Sequence, residues 1–114
     1  MSAHSMQEIP FEVQRVYYLR DLAGDTVRGN HANIRNQQVM VAIQGSFEVT
    51  IKDGKAEKTY TLYQPHQGLL VREGIWREVM HFSSDAICLV LCSEKFDEGD
   101  YVKDWEDFVK SKDS

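Results

Sequence analysis

The sequence predicts an all-β body of short strands, a sandwich or barrel, followed by one amphipathic C-terminal helix. Three observations carry this. Short runs of β-forming residues alternate with turn signals at about eight- to twelve-residue spacing, as in sandwiches and barrels. Asp53-Gly54 separates two such runs with a strong hairpin signal. Near the end, Tyr101, Val102, Trp105, Phe108 and Val109 fall at i, i+1, i+4, i+7 and i+8, a helical period with charges between. A chain of 114 residues is one domain's worth. Residues 9–114 are read as that domain, and residues 1–8, which show no periodicity, as a loose N-terminus.

Each element follows in order. Val13 to Arg20 (VQRVYYLR) is rich in β-formers, and Tyr17 and Tyr18, being adjacent, face opposite sides of a strand. Asp21 to Gly29 is turn chemistry, with two glycines and two aspartates. Gln38 to Gln44 (QVMVAIQ) suits a strand buried on both faces, with Met40 in the core, and Gly45-Ser46 ends it. Phe47 to Lys52 alternates, with Phe47, Val49 and Ile51 on one face; Thr59 to Tyr63 returns from the hairpin. Leu69 to Val71, Ile75 to Phe82 and the strongly apolar Ala86 to Cys92 complete the strands. Asp100 to Lys110 is the helix, with Asp100 as its N-cap and Trp76 and Trp105 as core and docking residues.

Composition narrows the function. The apolar share of 42% and charged share of 27% are those of a globular protein. Thirteen Lys and Arg against eighteen Asp and Glu give a net charge of −5, which argues against binding nucleic acid by bulk charge. No apolar run approaches the roughly 20 residues of a membrane helix, so no membrane partner is expected. Cys88 and Cys92 lie four apart on one strand, roughly 13 Å, too far for a disulfide. A reduced, cytoplasmic setting is the expectation. All six arginines (Arg15, Arg20, Arg28, Arg35, Arg72 and Arg77) precede Glu94, whereas the tail from Glu94 onward holds eight acids and four lysines. Arginine's planar fork suits phosphate or carboxylate.

The chemistry concentrates around His31. Arg28 to Gly45 (RGNHANIRNQQVMVAIQG) resembles the first metal motif of the cupins in spacing: His31, position 33, four residues, position 38, six residues, Gly45. The donors differ, since the positions hold Asn33 and Gln38, and the histidine expected later is Arg77. One imidazole with two amides and an arginine is a poor set for a transition metal. The resemblance therefore implies a cupin-type double-stranded β-helix, or jelly roll, with no metal and no cofactor.

Further wording resembles the WxcM-like nucleotide-sugar 3,4-ketoisomerases over about Ile9 to Val109. It comprises IPF at Ile9–Phe11, RVYY at Arg15–Tyr18, RG-x-HA at Arg28–Ala32, QV at Gln38–Val39, and GS at Gly45-Ser46. P-x-x-GL at Pro65–Leu69, Trp76 with Glu78, FSSD at Phe82–Asp85 and DY at Asp100-Tyr101 continue it. The resemblance implies a homodimer that moves a keto group between C4 and C3 of a dTDP-linked 4-keto-6-deoxyhexose. That reaction needs a group able to take a proton from C3 and return it at C4, which a near-neutral imidazole can do. It needs a polar neighbour for the enediolate oxygens as well. The implied catalytic residues are His31, Asn33 and Tyr17, with Arg28, Arg15, Gln38 and Arg77 binding the nucleotide diphosphate sugar. His31 and Asn33, two apart on a strand, share a face.

Three departures matter, and Asn33 and Arg77 among them set the alternative: the family's HAH is HAN here, its following basic pair is Ile34-Arg35, and its Trp-His-Glu is Trp76-Arg77-Glu78. The strand that the family usually carries before IPF is expected to be lacking. A cupin that binds a nucleotide sugar without turnover, or keeps only the fold, is the competing expectation. His66, after a turn proline, is expected in solvent. His81 is read as an exposed edge residue, or as a stand-in for the missing second histidine if it faces inward with Val79.

Overall fold

Alternating apolar positions require each strand to bury one face, and the computed structural model, which describes residues 3–5, 8–22 and 24–112, meets this with two facing antiparallel sheets. One sheet runs β1 (Ala3–Ser5), β7 (Gln67–Val71), β4 (Gln38–Gln44), β9 (Ile87–Cys92), β2 (Arg15–Arg20). The other runs β10 (Tyr101–Val102), β3 (Arg28–Asn33), β8 (Trp76–Met80), β5 (Phe47–Lys52), β6 (Glu57–Leu62). Between them lie Phe47, Val49, Leu62, Leu69, Val71 and Val90, each at most 1% exposed. This is the jelly roll the sequence predicts, with one helix, α1 (Trp105–Lys112), after the last strand. That helix is too short and polar to cross a membrane, and no other described helix qualifies.

Turn chemistry sets the boundaries. Asp53 Oδ1 accepts from the Lys55 and Ala56 amides, both at 2.8 Å, and closes the β5–β6 hairpin. Gly45, between β4 and β5, has φ +67°, and a Cβ there would stand 2.8 Å from Ala86 Cα and closer still to Ser83 Oγ. Only glycine fits.

Two expectations fail at the chain's ends. Tyr101 and Val102 are not helical: they form β10, paired with Asn33 and Ala32 of β3. Asp100 ends a single 3₁₀ turn, Glu98–Asp100, and caps no α-helix. The cap of α1 is Asp104, whose Oδ1 accepts from the Asp107 amide at 3.0 Å. Pairing satisfies the open edge of β3, which a helix over the same residues would leave bare. The docking half of the expectation holds: Phe108 of α1 is buried with Ala32 and Trp76, and Trp105 meets Trp76 edge-on at 5.2 Å. At the other end, Ala3–Ser5 form β1, antiparallel to β7, so the edge strand expected to be lacking before Ile9 is present.

Candidate active site

Strand alternation and one bulge bring six of the seven residues singled out above to the wall of a single cavity of about 440 Å³ between the sheets. On β2, Arg15, Tyr17 and Leu19 point inward, while Val16, Tyr18 and Arg20 point out. On β3 the register slips between Gly29 and His31. Gly29 has φ +87°, Asn30 has φ +53°, and a Cβ on Gly29 would press on Arg77 O at 3.0 Å. Such a bulge re-aims the next side chain, and His31 turns onto the cavity wall.

Arg77 is the most buried of the set, at 0% exposure. Its Nη1 donates to Gln38 Oε1 and its Nη2 to Ile75 O at 3.1 Å, while Nε has no partner. No described carboxylate lies within ion-pair distance of it. Burial pulls its pKa down to about 10, so it remains a cation at neutral pH. With its Oε1 held by Arg77, Gln38 turns Nε2 to Tyr17 Oη at 3.3 Å. The Tyr17 hydroxyl accepts that bond, which leaves its own proton free to donate into the cavity. Burial raises its pKa to about 12, so it acts as a neutral donor.

His31 is half-buried. Its Nδ1 lies 3.0 Å from Gly29 O and its Nε2 3.2 Å from Asn33 Oδ1, and the Tyr101 ring covers it at 4.7 Å. Burial, then the Arg77 charge, lowers its pKa to about 4 against the upward pull of the two hydrogen bonds. At neutral pH it is an uncharged base.

Asn33, expected to face substrate, is absent from the cavity wall and 1% exposed. It stands behind His31 and donates from Nδ2 to Asp100 Oδ2 at 3.2 Å. Asp100 is itself buried, and its carboxylate accepts from the Arg35 amide at 2.7 Å and the Asn36 amide at 3.1 Å.

Sequence reasoning missed Asp100 in this role, and missed Tyr101 and Lys103 on the cavity wall. The signal was the Asp100-Tyr101 pair, read there as the start of a helix. Arg15 stacks on Tyr17 at 4.4 Å and on Phe96 at 5.1 Å near the cavity mouth. Glu78 does not meet Arg77: it pairs with Lys52 at 3.2 Å and accepts from Trp76 Nε1 at 3.0 Å. His81 is exposed and bonds Glu48 at 2.6 Å, so it does not replace a second histidine. His66 is exposed, as expected. Among the described residues no three His, Cys, Asp or Glu side chains group to hold a metal ion.

The wall thus carries Arg15, Arg28, Arg77 and Lys103 and, among the described residues, not one carboxylate, in a chain of net charge −5. Lys103 pairs with Glu98 at 3.6 Å, while the three arginines have no ion-pair partner among the described residues, and such cations around a recess with low-dielectric walls focus a positive field on an anionic ligand.

Comparisons with known proteins agree with this chemistry. A family model described as FdtA, WxcM-like, C-terminal matches residues 1–113. The TDP-4-oxo-6-deoxy-alpha-D-glucose-3,4-oxoisomerase of Aneurinibacillus thermoaerophilus is 40% identical over 104 residues, 91% of this chain and 75% of that protein. A 3,4-ketoisomerase from Helicobacter canadensis superposes with TM-score 0.91 at 36% identity, over 96% of this chain and 83% of that one. The TDP-fucose-3,4-ketoisomerase WlaRA from Campylobacter jejuni gives 0.88 at 37%, over 90% and 76%. QdtA, a sugar 3,4-ketoisomerase from Thermoanaerobacterium thermosaccharolyticum solved in complex with TDP, gives 0.90 at 33%, over 92% and 77%.

Proposed function

The chain belongs to the FdtA, WxcM-like C-terminal family, and from that premise we propose that it is a nucleotide-sugar 3,4-ketoisomerase acting on a TDP-linked 4-keto-6-deoxyhexose. The observation that carries this is a cavity with four cations, no carboxylate among the described residues, and one neutral imidazole on its wall. Arg28 and Arg15 hold the diphosphate at the mouth. Arg77, with an unpartnered Nε deeper in, draws the keto end of the sugar inward.

The residues then divide the reaction. His31 Nε2, whose partner is a side chain at 3.2 Å while Nδ1 faces a backbone carbonyl, is the nitrogen free to leave its contact for substrate. It takes the proton from C3. The C3–H electrons form the C3–C4 double bond, and the C4 carbonyl oxygen becomes an enediolate oxygen. Tyr17 donates a hydrogen bond to that oxygen, with Gln38 and Arg77 fixing the direction of its hydroxyl. Nε2–H returns the proton to C4, the hydroxyl proton of O3 passes to O4, and C3 becomes the ketone. The imidazole ends as it began, and no cofactor or metal enters the balance.

Two further features complete the proposal. The outer face of the β1-β7-β4-β9-β2 sheet presents Val16 and Tyr18 of β2 and Ile43 of β4, all exposed, beside the partly buried Leu89 and Leu91 of β9. Strands β4 and β9 are apolar toward both faces, the pattern of a sheet covered on both sides, and a homodimer through this face supplies the cover. The buried free thiols Cys88 and Cys92 suit a reducing cytoplasm.

The test is incubation with TDP-4-oxo-6-deoxyglucose followed by NMR. Conversion to the 3-keto isomer is expected, lost in His31→Ala while TDP binding persists. Binding of TDP by the unaltered protein without conversion would leave only the non-catalytic cupin.

A further inference from the structure

Outside the substrate-facing wall, the structure contains one deeply buried carboxylate tied to the reactive ring through a single side chain. We propose that Asp100 is a positioning residue for His31, acting through Asn33 to keep an acceptor oxygen on the Nε2 side of the imidazole. This role rests on the ketoisomerase function proposed above, but the measurement that tests it is made on the ligand-free protein.

The direction of each bond follows from donor and acceptor capacity. An ionised carboxylate can only accept. Asp100 already takes the Arg35 amide on Oδ1 and the Asn36 amide on Oδ2, and Oδ2 takes Asn33 Nδ2 as well. The Asn33 amide therefore cannot turn over without setting its oxygen against that carboxylate. Its Oδ1 stays on His31 Nε2, and Gly29 O, fixed in the β3 bulge, stays on Nδ1. The ring is thus held between two acceptors.

That environment has a chemical meaning. A neutral imidazole has one N–H and must leave one nitrogen lone pair against an oxygen, whichever tautomer it adopts. The imidazolium has two N–H groups and satisfies both acceptors. The site is matched to the state His31 reaches only after taking the substrate proton.

The other groups facing the ring oppose protonation or are neutral. Burial lowers its pKa most, followed by the charge of Arg77 on β8 and, least, that of Lys103 after β10. Arg28, on the ring's own strand, and Arg15 on β2 add positive charge to the same cavity, and Tyr17 is uncharged at neutral pH. Asp100 is the carboxylate behind this arrangement, and Asn33 is the link. A second histidine at position 33 would add a titrating group; the amide offers a fixed acceptor that cannot exchange the proton away.

The test is ¹⁵N NMR of the imidazole at pH 7, with the His31 signals identified by their loss in His31→Gln. In the unaltered protein both tautomers are expected in measurable amounts, since Asn33 Oδ1 accepts from Nε2–H and Gly29 O from Nδ1–H, and the Nδ1–H form, with its lone pair on Nε2, is the one that takes the substrate proton. In Asn33→Ala only Gly29 O remains, and the ring is expected to shift to the Nδ1–H tautomer. Asp100→Asn frees the Asn33 amide to turn its NH₂ toward Nε2, with the same expected shift. The double variant is expected to match Asn33→Ala, since the effect of Asp100 passes through Asn33. Asn33→Ala leaves the two backbone bonds of Asp100 intact and serves as the readout if Asp100→Asn does not fold. A ring already in the pure Nδ1–H form in the unaltered protein would overturn the proposal. So would Asp100→Asn with the tautomer unchanged, or a double variant that moves it beyond Asn33→Ala. None of these results depends on turnover, so failure of the isomerase assay alone would remove the proposed function and leave the relay standing.

Discussion

Stability should fall between pH 6.5 and 4 by an amount traceable to His31 alone. The folded pKa of about 4 lies below the ordinary 6.5, so in that window the unfolded chain binds the extra proton and folding is penalised as pH drops. Above pH 6.5 both states are neutral at this residue and nothing is lost. At pH 5 the two pKa values give a penalty of about 2 kcal/mol, approaching about 3 kcal/mol below pH 4. Urea denaturation of the unaltered protein and of His31→Gln, repeated from pH 8 to pH 4.5, isolates it, because carboxylates contribute equally to both. The difference in unfolding free energy between the two proteins should move by about 2 kcal/mol in favour of the variant between pH 8 and pH 5. A difference that stays constant over that range would refute the burial and Arg77 effects assigned to His31.

Three further outcomes follow from geometry. Arg77→Met should leave stability unchanged or raise it by about 1–4 kcal/mol, since it removes a buried unpaired charge, while calorimetry should show affinity for the TDP-linked keto sugar, but not for TDP, reduced about 10- to 100-fold. Gly29→Ala should cost about 2 kcal/mol or more in thermal unfolding, because φ +87° is strained for alanine and its Cβ meets Arg77 O at 3.0 Å. Asp104→Ala should cost about 1 kcal/mol in the same assay by removing the α1 cap, whereas the sequence reading would have placed that loss at Asp100.

Strands bounded by strong turn chemistry were legible in the sequence. Phe47–Lys52 and Gln38–Gln44 are found between the residues expected, because Gly45-Ser46 and Asp53-Gly54 leave the chain no other course. β3 was opaque: RGNHAN has few β-formers, and its backbone includes positive φ at Gly29 and Asn30, so neither propensity nor alternation marks it. The C-terminal segment deceived for another reason. Tyr101 and Val102 extend the helical stripe of Trp105 and Phe108 in sequence, yet a strand edge 68 residues away in chain order, Asn33 to Tyr101, claims them. Local pattern cannot report such a pairing. Arg15, Tyr17, Arg28, His31 and Gln38 could be gathered from family wording and Arg77 from its departure, whereas Tyr101, though inside the DY pair, was drawn into the helical stripe, and Lys103 lies outside the wording. An aspartate that caps a helix and one that anchors a buried turn look alike until the fold brings Asn33, Arg35 and Asn36 around it.

One labelling measurement reaches the proton transfer itself. With TDP-4-oxo-6-deoxyglucose deuterated at C3, a single turnover in ordinary water should place part of the deuterium at C4 of the 3-keto product, because His31 Nε2 carries it between the two carbons. Product formed with C4 wholly protonated from solvent, and at an undiminished rate in His31→Ala, would contradict transfer by this imidazole.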